Sequence, residues 1–474
     1  MNGKIKITRN FLSFCLCLAL ILTCISFSFI TAFAEEGVKT VGDFTIAPAN
    51  GSDALVENTD YVYTEGKLTI QTAVPVIVSM KEGVEKTAEV IVVDSKNGQA
   101  AVTFKNIYIE TAKNEAITAQ GSEKITMYFS GVNNLVSADT GVDVSNKTPV
   151  KITSIDEGQL NISNVKYGIA CITYSTSEML EITGNINIHI SGCTMHAIYY
   201  KEGAVSISGM PIITIDTVEY AIYGIGISIS GGTFWLKNDD GYMICSGRGN
   251  SLTLSGQTDM HITEGDRGLY SSDNGKITIT DSAKLKIYGG DANNKTAAIL
   301  EYAINAGELL IEKNAFVDMF TKEDAISGGI TKITDNAQVN IKINCESTYS
   351  QYALRFDSTL DICANTKVNI DITGSKIYGL YDITDSTVNI SDEAEVKING
   401  AYRSVYADFL HLSGNSSLTI TEDLSYAVYG VTTIQNTAKL TATSLNAKVL
   451  YDTFTVKPAE GKAYMVRAGA TEAA

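Results

Sequence analysis

The chain has 474 residues, 45% of them hydrophobic, with only 5 prolines and a formal net charge of −17. That is ample apolar material for a core. An acidic chain argues against nucleic acid as a partner, and against binding of anionic polymers through charge alone.

The N-terminus reads as a secretory signal. Lys4, Lys6 and Arg9 form a basic region, Phe11 to Ile30 an apolar region, and Ala32-Phe33-Ala34 a small-residue cleavage site. Residues 1–34 are therefore expected to be removed. No membrane attachment is expected afterwards, and the mature chain is expected to be extracellular, secreted or associated with the cell surface. The signal holds three basic residues and no acidic ones, so the mature chain is more acidic still.

Residues 35–66 read as N-terminal cap strands. Gly42-Asp43-Phe44-Thr45-Ile46 has the pattern of a strand. Tyr61-Val62-Tyr63 and Lys67-Leu68-Thr69-Ile70 flank the turn Thr64-Glu65-Gly66, as in a hairpin. A solenoid needs its first open edge covered, and this segment is placed to do it.

Residues 67–456 carry a repeat whose clearest copy is Val218-Glu219-Tyr220-Ala221-Ile222-Tyr223-Gly224. A small residue precedes an aliphatic residue, and a tyrosine often follows. The aliphatic markers are Ile117, Val142, Ile169, Ile198, Ile222, Ile244, Leu269, Ile299, Ile326, Leu354, Leu380, Val405, Val428 and Leu450. Their spacing of about 22 to 30 residues is that of stacked repeats. Polar tetrapeptides recur in phase, among them Ser208-Gly209-Met210-Pro211, Thr280-Asp281-Ser282-Ala283, Thr334-Asp335-Asn336-Ala337, Ser391-Asp392-Glu393-Ala394 and Ser413-Gly414-Asn415-Ser416. Gly, Asn and Asp tolerate the positive φ of a tight corner. Between corners the pattern alternates, as in Lys276-Ile277-Thr278-Ile279 and Glu395-Val396-Lys397-Ile398. Three short strands per repeat and no helix predict an all-β fold. Its form is a right-handed, single-stranded parallel β-helix (solenoid) of roughly fifteen coils with an N-terminal β cap. The longest excursions fall at 291–296 and 345–350, and such loops are the usual place for a binding site. Residues 457–474 read as a C-terminal tail or linker, and further C-terminal domains are expected to be missing.

The residue types that carry chemistry are sparse. His189 and His261 are placed in alternating strands on opposite sides of different coils, and His196 and His411 lack metal-ligand neighbours. Five cysteines follow the signal, Cys171, Cys193, Cys245, Cys345 and Cys363, without a metal-binding spacing; they read as small packed residues. Ca²⁺ would suit an acidic rod, and Asp239-Asp240 and Glu264-Gly265-Asp266 are its best acidic pairs; solvated loops are the plainer reading. Trp235, in Thr233-Phe234-Trp235-Leu236-Lys237, reads as core packing, with an exposed sugar platform as the alternative. The candidate ligand-binding residues are Tyr199, Tyr223, Tyr270, Tyr381, Tyr406, Tyr429 and Tyr451, each directly after a marker. If the marker points inward, both its neighbours point outward and the tyrosines stack along one face. Such a ladder suits sugar rings; equally, it can simply stiffen the stack.

The chain resembles exported parallel β-helix proteins of clostridia and related Gram-positive bacteria. It is similar to those labelled carbohydrate-binding domain-containing, within the pectate-lyase-like superfamily. The resemblance is carried by the opening Tyr61 to Ile70, the Ser/Thr-Gly/Asp corners and the closing Val456-Lys457-Pro458-Ala459-Glu460-Gly461-Lys462. It implies a secreted or surface location and, for some relatives, binding of plant polysaccharide with bound Ca²⁺. The Ser-Lys-Asp-Asp-Leu type corner of those binders is absent here. Of the hydrolase motifs of this superfamily only Asp239-Asp240 is matched. The expectation is a non-catalytic protein that binds polysaccharide or cell-wall glycan along one face. The alternatives are a structural stalk or adhesin scaffold without a glycan site, and a polysaccharide lyase or hydrolase.

Overall fold

The computed structural model describes residues 37–51, 54–113, 115–145, 148–172, 179–272, 274–290, 294–346, 349–382, 385–444, 449–458 and 467–470. Residues 1–34, expected to be a signal, and most of the expected C-terminal tail lie outside the described residues. The fold is nearly all-β, 64% strand, and winds into a parallel β-solenoid of about 15 turns.

One coil shows the plan. Strands Ile222–Gly224, Ile227–Ser230 and Thr233–Asn238 follow one another around the turn. Each pairs in parallel with its equivalent one coil on: Ile222 with Ile244, Ile227 with Leu252, and Phe234 with Met260. Like residues therefore stack in rows. The rows of Ile, Leu and Val fill a column in which almost every marker is fully buried. Burying each such side chain is worth about 1.5–3 kcal/mol, and the contribution is spread evenly along the rod.

The corners behave as their composition requires. Asp281, Asp335 and Asp392 have φ of 61°, 61° and 58°, and Gly209 and Gly414 have 84° and 68°. Each is the second residue of a polar tetrapeptide. Each aspartate side chain accepts the backbone N–H of the corner one coil below: Asp281 from Gly256 (3.2 Å), Asp335 from Lys313 (3.1 Å) and Asp392 from Ala364 (3.3 Å). The carboxylates thus satisfy corner donors that the ladder leaves open.

At the N-terminal end, Lys39–Val41 and Phe44–Pro48 pair antiparallel, and Phe44–Pro48 runs antiparallel to Val76–Met80. Tyr61–Thr64 forms the expected hairpin with Lys67–Ile70, which is also the first marker strand of the parallel stack, Leu68 pairing with Ile91.

Two expectations require correction. The first concerns register. Leu269 pairs with Ile304, not with Ile299, so this coil spans 35 residues. The extra length contains an excursion in which Gly289–Gly290 and Lys295–Thr296 pair antiparallel. Ala298-Ile299 and Ala303-Ile304 are both small–aliphatic pairs, and both isoleucines are buried. Spacing alone selects the wrong one.

The second concerns the small residue before the marker. It does not point outward. Ala197, Ala221, Ala303, Ala325, Ala353 and Ala427 are as fully buried as the markers beside them. At Gly168, Gly268 and Gly379 a methyl group would lie 2.4, 2.2 and 2.4 Å from a backbone oxygen of the next coil. Strict alternation fails here because two successive residues both face inward, and only a small one fits at the first. Gly268→Val is expected to destabilise the protein by about 3 kcal/mol, since the obstructing atom is backbone and cannot turn aside. Denaturant unfolding measures this directly.

Candidate functional site

The break in alternation decides the geometry of the outer surface. With two consecutive residues turned in, the residue two before the marker and the residue one after it both turn out, side by side. Two outward rows run along the rod instead of one. The row after the marker contains Tyr199, Tyr223, Tyr270, Tyr381, Tyr406, Tyr429 and Tyr451. Six of them are half-buried, and Tyr451 is 46% exposed. The row before the marker contains Tyr167, His196, Tyr220, Tyr242, Arg267, Tyr302, Asp324, Tyr352, Tyr378, Arg403 and Tyr426. Register fixes much of it: Tyr167 pairs with His196, Tyr242 with Arg267, Arg267 with Tyr302, Tyr302 with Asp324, Tyr352 with Tyr378, and Tyr378 with Arg403. Sequence reasoning missed this second row. A search for aromatic residues at a fixed offset of minus two from the markers would have found it.

The two rows touch. Tyr220 and Tyr223 have ring centroids 5.3 Å apart, Tyr378 and Tyr381 4.6 Å, and Tyr242 and Tyr270 4.4 Å. Along the second half Tyr381, Tyr406, Tyr429 and Tyr451 follow at 5.4, 4.4 and 4.8 Å, each pair stacked. Such pairs contribute about 0.5–1.5 kcal/mol each beyond burial. Burial and the surrounding hydroxyls push Tyr199 and Tyr220 up to about 12 and raise Tyr381 further, so these phenols stay protonated and act as donors.

The strip is not continuous. Cys245 pairs with Tyr223 on one side and Tyr270 on the other, and its buried thiol is pushed up to about 12. Beyond Tyr270 the same row continues as Asn305, Ser327 and Arg355 before reaching Tyr381. Two aromatic segments result, 167–270 and 352–451.

Three of the chain's arginines stand in these rows. Arg267 lies 4.9 Å from the Tyr242 ring centre and is held by Glu301 at 2.5 Å. Arg355 lies 5.7 Å from the Tyr352 ring. Arg403 is enclosed by four rings, those of Tyr406, Tyr402, Tyr426 and Tyr378, at 5.1 to 5.8 Å. Its Nε is buried without a hydrogen-bond partner, and no carboxylate among the described residues pairs with it. A cation so placed is attracted by the ring faces and keeps hydrogen-bonding capacity in reserve.

Asp324 sits between the arginine positions. Burial pushes its carboxyl up to about 6, against a hydrogen bond from the Tyr352 N–H (2.8 Å) and the nearby Arg355, which act to lower it. Its folded pKa thus exceeds its unfolded one. The associated stability is fully present below about pH 4 and is lost as pH rises through about 6. Asp324→Asn is accordingly expected to raise the melting temperature at pH 7.5 but not at pH 4, as thermal unfolding at the two pH values would show.

The remaining candidates are placed as follows. Asp240 caps the Gly241 N–H at 2.7 Å, Glu264 pairs with Lys237 at 3.1 Å, and Asp266 lies 3.7 Å from Arg267. Among the described residues no three or more His, Cys, Asp and Glu come together in a way that could hold a metal ion. His196 is buried within the strip, and burial lowers its pKa to about 4. His189 and His261 do not lie on opposite sides: both stand in one outward row, separated by Thr214 and Trp235. Trp235 is exposed rather than core, because Phe234 and Leu236 take the inward positions of its strand. Cys193 and Cys245 are buried, and Cys363 donates its thiol to Thr334 Oγ1 at 3.2 Å.

Two open grooves adjoin the strip. One, of about 760 Å³, lies at its N-terminal end, where the row is narrow: Thr69, Val92 and Thr118 line it with Lys113 and Glu115. The other, of about 490 Å³, lies beside the excursion and is lined by Asp239, Glu264, Gly290 and Lys322. Comparison of the chain with family models, with curated proteins and with solved structures found no match.

Proposed function

We propose that this chain is an exported, non-catalytic protein that binds polysaccharide along its double row of tyrosines. The observation that carries the reading is the strip itself. Half-buried tyrosine rings with phenolic donors repeat at one strand spacing, about 4.8 Å, close to the length of one pyranose unit in an extended glycan. Aromatic rings take the C–H faces of sugars and hydroxyls take their edges. Arg403, ring-enclosed and without a carboxylate partner among the described residues, adds a donor fork for an acidic substituent on such a chain. This is local recognition, so it is compatible with an acidic protein. Export rests on the signal in residues 1–34, and surface association on the family resemblance.

Ring-to-ring stacking favours a second reading, a stiff stalk with no glycan site. One experiment separates them. The mature chain, residues 35–474, is tested for retention on plant, host and bacterial-wall polysaccharides, with Ca²⁺ and with chelator, while release of sugar ends is assayed. Saturable retention without release is expected, unaffected by chelator. No retention on any polymer would favour the stalk, and release of sugar ends would make the protein an enzyme.

A further inference from the structure

The second aromatic segment, 352–451, carries two arginines, Arg355 and Arg403. Among the described residues the arginines in ion pairs are Arg248 and Arg267 instead. Register fixes how Arg355 and Arg403 stand to one another. Arg355 pairs with Tyr381, which pairs with Tyr406, while Tyr352 pairs with Tyr378, which pairs with Arg403. Exactly one coil lies between the two arginine coils, and it presents the touching pair Tyr378 and Tyr381. The Arg355 guanidinium lies 5.7 Å from the Tyr352 ring and that of Arg403 5.8 Å from the Tyr378 ring. Those two rings are 5.7 Å apart. Both cations therefore stand on one outward face, beside one continuous run of rings. Arg355 is exposed and Arg403 half-buried. Asp324, one coil before Arg355, feels its charge but forms no ion pair with it, and accepts the Tyr352 N–H instead.

Two strand spacings, about 9.6 Å, separate the arginine positions along the rod, close to the length of one disaccharide. In an extended, ribbon-like glycan successive sugars are turned over, so only substituents two units apart leave from the same side. A guanidinium fork matches the two oxygens of a carboxylate. A glycan lying on the tyrosines between the arginines would then offer one carboxylate to each.

We propose that Arg355 and Arg403 act together to select a polysaccharide with a uronate at every second sugar. This rests on the reading of the tyrosine strip as a glycan site and names the class of glycan it takes.

The test uses hyaluronan hexasaccharide, in which uronate and N-acetylglucosamine alternate, and the same sugar after reduction of its carboxyl groups to alcohols. Each is titrated calorimetrically into the mature chain, residues 35–474. The native sugar is expected to bind about a hundredfold more tightly than the reduced one, about tenfold for each guanidinium–carboxylate pair. Arg355→Ala and Arg403→Ala are each expected to cost about tenfold on the native sugar, and the double variant to bind both sugars alike. All variants are expected to bind the reduced sugar as the parent does. Additive losses on one hexasaccharide mean that one glycan engages both arginines at once. Native binding untouched by Arg355→Ala, or equal binding of native and reduced sugar by the parent, overturns the proposal and leaves the strip standing as a glycan site. Binding of neither sugar up to about 10 mM overturns both.

Discussion

Arg403→Ala is expected to weaken retention on an acidic polysaccharide by tenfold or more, about the value of one charge-assisted hydrogen-bonded pair, and to leave retention on neutral polymers unchanged. The reason lies in how the side chain is held. Four tyrosine rings fix the guanidinium from the sides, and no described carboxylate competes for it. Little ordering is left to be done when an anionic group arrives. Arg403→Lys keeps the charge but loses the planar fork, and is expected to fall between parent and alanine variant. Affinity electrophoresis in gels containing acidic or neutral polymer measures both. Equal losses on the two kinds of polymer would show that Arg403 merely supports the rings around it.

Phe234→Ala is expected to have the largest effect on stability, about 3–5 kcal/mol. Phe234 is fully buried and stands in a row between Ile213 and Met260. The cavity would weaken two coil interfaces at once. In a solenoid such a loss is local, because each coil contacts only its neighbours. Urea unfolding followed by Trp235 emission, one residue away, is therefore expected to shift to a lower midpoint than unfolding followed by far-UV circular dichroism. Coincident midpoints would mean that the column unfolds as one unit.

The fold was largely legible in the sequence because two markers with one period, the aliphatic residue and the polar corner, both reflect coil-to-coil stacking. The positive φ at Asp281, Asp335 and Asp392 is the physical counterpart of that pattern. Three things were not legible, each for a reason. Ile299 and Ile304 are alike in sequence because an excursion lengthens one coil and leaves two small–aliphatic pairs at its end. The row of Tyr167, Tyr220, Tyr242, Tyr352 and Tyr378 was hidden because period-two reasoning turns the residue two before the marker inward. The backbone buries two residues in succession there instead. Trp235 reads as core on residue type alone, although alternation within its own strand puts Phe234 and Leu236 inside.

The pairing of Ile222 with Ile244 has a bearing on how this chain can change length. Removing residues 222–243 as a block would join Ala221 to Ile244 and restore a small–aliphatic pair in the same register. Each row would lose one member; the inward rows would stay apolar, Ile198 meeting Ile244 and Val205 meeting Leu252, while outside Tyr199 would meet Cys245. The rod is in this sense divisible: it can be shortened, or by duplication extended, in whole-coil steps of about 4.8 Å. The reach of its outer surface is then a count of coils, adjustable without redesign of the inward rows.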